Sequence, residues 1–183
     1  MTATLASLLT CGWPGAEVVM DTAGGAASMQ RLNEAWRGMV RRAAAARTDF
    51  VLLLEDDLVF GHYFAANLES WPALHAAADG LFFGSLYNHG HSRIAGGAER
   101  HWVADPFYFW GSQALVVTPR TARFLDANWD KGAGNVDLRL ARLAAAVTPI
   151  LFHRPSLVQH APGPSTWGGA RHWAPDFDPF WRA

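Results

Sequence analysis

The chain is poor in features that define several large classes of protein. It has one cysteine, Cys11, in 183 residues, so no internal disulfide can form and the chain suits a reducing compartment. It has no excess of positive charge. Fifteen Lys and Arg stand against 16 Asp and Glu, too few to neutralise a phosphate backbone, which argues against a nucleic-acid binder. No run approaches the roughly 18 apolar residues of a membrane span. The stretch Leu5-Ala6-Ser7-Leu8-Leu9 is short and has no basic residue before it, unlike a signal peptide. Cys11 follows Thr10, not the small residue expected before a lipoprotein cysteine. These absences read as a soluble, cytoplasmic protein. Charge is sparse at 17% and apolar residues make up 50%, the reverse of a disordered chain. The length fits one domain. Tyrosine is scarce, with three, but there are nine Trp and eleven Phe. That wealth suits a large core or a stacking surface for sugars or bases, and composition does not choose between them.

Strand-like and helix-like segments alternate, which predicts an α/β domain with a mostly parallel sheet. Helices are expected over 4–10, 29–47 (with Ser28 as N-cap), 62–78, 119–128 and 136–146. Strands are expected over 17–20, 50–54, 81–87, 113–117, 150–152 and 157–159. Residues 107–110 read as extended, 89–105 as one long loop, and the tail from 161 as coil. The Arg residues of the second helix fall between its apolar positions and read as a solvated face. The run Phe50-Val51-Leu52-Leu53-Leu54 shows no alternation, the mark of a central strand buried on both faces.

That run ends in Glu55-Asp56-Asp57. In open α/β sheets ligands sit at the carboxyl ends of strands. Alternate residues of an extended chain share a side, so Glu55 and Asp57 can face one cleft. Hard carboxylate oxygens there suit Mg²⁺ or Mn²⁺, which take one or two carboxylates and complete their shell with phosphate oxygens and water. An acidic turn that caps the next helix is the competing reading.

The segment Thr48-Asp49-Phe50-Val51-Leu52-Leu53-Leu54-Glu55-Asp56-Asp57-Leu58 resembles the acidic metal motif of GT-A glycosyltransferases, in its Glu-Asp-Asp form. Trp110-Gly111-Ser112-Gln113-Ala114-Leu115-Val116-Val117-Thr118 resembles a strand and acceptor-side turn of that fold. Arg154-Pro155-Ser156-Leu157-Val158-Gln159-His160 resembles its late element near the metal. The three occur in the family's order. The chain departs from the pattern in beginning almost at a helix, without the strand that opens such domains.

The resemblance implies a three-layer GT-A-like sandwich and a metal-dependent transfer from a nucleotide-sugar donor, UDP-linked, to a hydroxyl of a glycan, protein or small molecule, with inversion. It implies Asp57 as a ligand of Mn²⁺ or Mg²⁺, Glu55 and Asp56 in support at the donor, and His160 as a late metal ligand. Asp21 would contact the nucleotide. Asp137, after a glycine turn, would be the general base, although an acid favoured by a helix N-terminus explains it equally well. Trp102 and Trp110 could stack on a sugar or simply fill the core. Other functions stay open: a metal-dependent phosphohydrolase or nucleotidyltransferase, which would draw further acids from Asp105, Asp130 or Asp137, and a non-catalytic binding domain. Residues 50–54 are expected as a fully buried central strand, and a structure with them in a helix or at a sheet edge would sink the whole glycosyltransferase reading.

Overall fold

The computed structural model describes residues 2–13, 15–20, 28–77, 80–161 and 173–183. In chain order the elements are α1 (Thr2–Thr10), α2 (Met29–Ala45), β1 (Val51–Leu54), β2 (Leu58–Phe60), α3 (Phe64–Glu69), α4 (Pro72–His75), β3 (Phe83–Ser85), β4 (Ile94–Ala98), β5 (His101–Ala104), β6 (Ala114–Val117), α5 (Pro119–Asn128), a 3-10 turn (Trp129–Lys131), α6 (Val136–Ala144), β7 (Ile150–His153) and β8 (Val158–His160).

The fold is mixed α/β in three layers. Successive residues of β6 show why: Leu115 and Val117 face one apolar cluster while Ala114 and Val116 face another. On the first side α2 presents Trp36, Val40 and Ala43, at helical spacing, beside Leu125 of α5 and Leu140 of α6. On the second side Leu8 of α1 and Phe64 and Leu68 of α3 pack with Trp71 and with β2 and β8. Each such side chain contributes roughly 1.5–3 kcal/mol on burial. Ser28 caps α2, its hydroxyl accepting from the Arg31 amide, and Thr118 caps α5 ahead of Pro119.

Several expectations need correcting. The six-stranded sheet has the order β1-β6-β3-β7-β5-β4 and is mostly antiparallel; only β3 and β7 run parallel. A continuous apolar run reports burial on two faces and carries no information about strand direction. β1 is at the sheet's edge, paired only with β6 among the described residues, and within it only Leu53 is fully buried. The expected central position is therefore wrong. Residues 17–20, expected as a strand, are irregular and exposed. The expected helix over 62–78 breaks into α3 and α4, with Pro72 opening the second piece. The expected long loop holds the β4–β5 hairpin. Arg37 and Arg41 of α2 are not merely solvated. Arg37 grips both oxygens of Asp130 at 2.9 Å, and Arg41 reaches Asp126 at 3.0 Å. No helix among the described residues is long and apolar enough to cross a membrane.

Candidate active site

The site grows from the end of β1. The Glu55 amide donates to Gln113 O at 2.9 Å, which carries the β1–β6 ladder one residue past the strand. The chain then turns into β2, whose antiparallel partner β8 ends at His160, opposite Leu58. That pairing sets Asp57 beside His160, and the Ala161 amide donates to Asp57 O at 2.6 Å. The side chains meet as a result, His160 Nε2 lying 2.9 Å from Asp57 Oδ2. Two residues far apart in sequence are thus joined by one short ladder.

The donor set of this pair fits a divalent cation. His160 Nδ1 is 2.8 Å from Ala161 O, a contact that requires the proton on Nδ1. In the neutral ring Nε2 then presents a lone pair toward a carboxylate oxygen, so two acceptors face each other unless a proton or a cation lies between them. A metal-bound histidine usually donates its other N–H to such a carbonyl. Asp57 Oδ1 is also buried without a hydrogen-bond partner among the described residues. No group of three or more His, Cys, Asp or Glu able to hold a metal occurs among the described residues. A cation held by this pair would have to take its remaining ligands from phosphate oxygens and water.

Glu55 sits beside this pair without joining it. Its Oε1 accepts from Ser112 Oγ at 3.1 Å. Its pKa is pushed up to about 8, first by burial, then by the charges of Asp137, Asp57 and Asp56, against the opposing Ser112 hydrogen bond. The influence of Asp137 shows that α6 carries that acid near Glu55. Asp137 is not the helix cap, because Asn135 Oδ1 accepts from the Leu138 amide. Asp56 is exposed, and its carbonyl is held by the Thr4 hydroxyl of α1. Asp21 lies outside the described residues.

Two residues were not anticipated. Tyr87 is fully buried with its hydroxyl unpartnered among the described residues. Burial, then the charges of Glu55 and Asp57, raise its pKa. Ser112 depends on Gly111, whose φ of +150° disfavours side chains and whose added Cβ would meet Tyr87 O at 2.9 Å. Gly111→Ala is expected to cost about 1–3 kcal/mol and displace Ser112 from Glu55. Urea unfolding of the variant checks this, and an unchanged midpoint contradicts it.

Two strongly shifted groups with opposite effects shape the pH dependence of stability around neutrality. Glu55 titrates at about 8 when folded, against its ordinary 4.5. Its contribution to stability is full below about 4.5 and is lost as pH rises through 8. His153 is fully buried, with Nδ1 2.6 Å from Pro155 O. Burial chiefly lowers it from 6.5 to about 4, so acid below 6.5 protonates the unfolded chain first and destabilises the fold. Between about 4.5 and 6.5 the two slopes oppose each other. Between 6.5 and 8 the Glu55 slope acts without that of His153, and stability should fall as pH rises. Urea midpoints across that range test this, and Glu55→Gln should remove the decline.

Comparison of the chain with protein-family models, with curated proteins and with solved structures returns no match.

Proposed function

We propose that the protein is a metal-dependent glycosyltransferase that moves a sugar from a UDP-linked donor to an acceptor hydroxyl with inversion. The observation that carries the reading is the Asp57–His160 pair, with the His160 Nδ1–Ala161 O contact behind it and an orphaned Asp57 oxygen within it. The sheet speaks against the reading, since β1 is an edge strand, the placement expected to sink it, and the sheet is mostly antiparallel; what supports the proposal is the site alone. Asp57 and His160 would hold Mn²⁺ or Mg²⁺, which when bound neutralises charge on the departing diphosphate. Asp137 stands apart from the pair, on a different element, and takes the proton of the acceptor hydroxyl. Ser112 holds the carboxyl of Glu55 by a hydrogen bond.

A phosphohydrolase using more than one metal would need additional acids. Asp130 gives both oxygens to Arg37 and Asp105 accepts from the Phe107 amide at 2.9 Å, which leaves Asp137, whose charge reaches Glu55, as the one acid of the three for that reading. The test is incubation with a panel of nucleotide sugars and Mn²⁺. Donor-selective release of nucleoside diphosphate is the expected result. Release of phosphate or pyrophosphate regardless of the sugar would replace the proposal with hydrolysis or nucleotidyl transfer. Binding without turnover would leave a binding domain.

A further inference from the structure

We infer that a second site, at the β5–β7 end of the sheet, binds an oxyanion-bearing small molecule through three arginines. An open cavity of about 560 Å³ is lined by Arg100, Arg154 and Arg182, with Trp181, Glu99 and Asp176. That volume lies within the range of small-ligand sites. Each guanidinium lies over an aromatic ring: Arg100 over Trp181 at 5.2 Å, Arg154 over Trp102 at 5.1 Å and Arg182 over Tyr63 at 5.2 Å. Stacking orients the planar fork of an arginine in advance and leaves its N–H edge for hydrogen bonding.

The three cations share one space without matching partners. None makes an ion pair among the described residues. Arg154 and Arg182 donate no side-chain hydrogen bond to another described residue. Arg100 spends its terminal nitrogens on Ser70 O at 3.1 Å and Asn67 O at 3.5 Å, while its Nε is buried without a partner. Asp176, the partly buried acid of the cavity, accepts from Ser156 Oγ at 2.6 Å through Oδ1; burial raises its pKa, against the pull of that hydrogen bond and of the Arg154 charge. Three arginines face only two acidic side chains, Glu99 and Asp176, which leaves the cavity with an excess of positive charge, and paired N–H groups of arginine match the geometry of carboxylate and phosphate oxygens. Arg154 and Glu99 also line a second cavity of about 400 Å³, beside Trp102 and Ile94, which gives the body of the ligand room next to its anionic group. The site is separate from Asp57 and His160, and the inference does not rest on the glycosyltransferase reading.

The test is direct binding to the full chain by isothermal titration calorimetry, with glucose 6-phosphate, glucuronate and uncharged glucose as probes. At least one anionic probe is expected to bind about tenfold or more tightly than glucose, and the Arg154→Ala/Arg182→Ala double variant to lose about tenfold of that affinity. Both side chains are exposed, and circular dichroism checks that the variant folds. Preference for glucose 6-phosphate assigns a phosphate ester and preference for glucuronate a carboxylate, either supporting the site. Equal binding of glucose, undiminished binding by the double variant, or no binding of any probe at tens of millimolar would overturn it. Binding that appears only after removal of Ala183 would also overturn it, by giving the arginines to the chain itself.

Discussion

Asp57→Ala should abolish the response to Mn²⁺ and lower sugar transfer by about 10³-fold or more, with the fold intact. A cation acting as Lewis acid supplies several kcal/mol of transition-state stabilisation, and each 1.36 kcal/mol is a factor of ten. Asp57 places one oxygen against His160 and buries the other without a partner, so its loss removes half of the protein's share of the site. The ladder that positions the pair is built from main-chain atoms, including the Ala161 amide on Asp57 O, and survives the substitution. The carboxylate also helps push the pKa of Glu55 upward, so its removal relieves repulsion. Stability should be unchanged or slightly higher by urea unfolding. Wild-type turnover and an undiminished Mn²⁺ response in this variant would end the metal assignment.

Asp137→Asn is expected to keep donor and metal binding and to lose transfer by about 10²–10⁴-fold, the usual contribution of a general base. Asparagine has the shape of aspartate without its basicity. A role limited to favouring the helix N-terminus predicts only a few tenths of a kcal/mol from loss of the charge, and no kinetic effect. The cap itself is Asn135, so the substitution leaves the start of α6 in place. The variant also removes the largest charge effect on Glu55, so the upward displacement of that carboxyl should shrink. Donor affinity by calorimetry and turnover by product release, measured together, separate the two accounts. Full turnover would leave Asp137 a structural residue and reopen the choice of base.

The closeness of Asp57 and His160 was more legible in the sequence than the sheet. Asp57, His160 and Asp137 could be singled out as candidates because a metal ligand or a base must be one of few residue types, placed where elements end. Tyr87 and Ser112 were not, since a buried hydroxyl gains its role only from what folds against it. Elements with strong local signals, such as α2 behind Ser28 and α5 behind Pro119, stand within a residue or two of expectation. The Ile94–Ala98 strand was missed because its Ile-Ala-Gly-Gly-Ala sequence has low strand propensity and owes its form to pairing with β5. Strand order and direction are decided by pairings across long sequence distances, which the Val51–Leu54 run cannot state.

The six-stranded sheet has two unlike margins. At one, β4 carries glycines and a break in register between Ile94 and Gly96, which twists its outer backbone and spoils it as a template. At the other, Val51-Leu52-Leu53-Leu54 is apolar and regular, and has no second strand partner among the described residues. An edge of that kind presents a row of amides and carbonyls to any extended segment that reaches it. Handling of the protein is therefore governed from that margin: concentrated solutions will self-associate there first, and a lysine at the half-buried Leu52 is the substitution that discourages it.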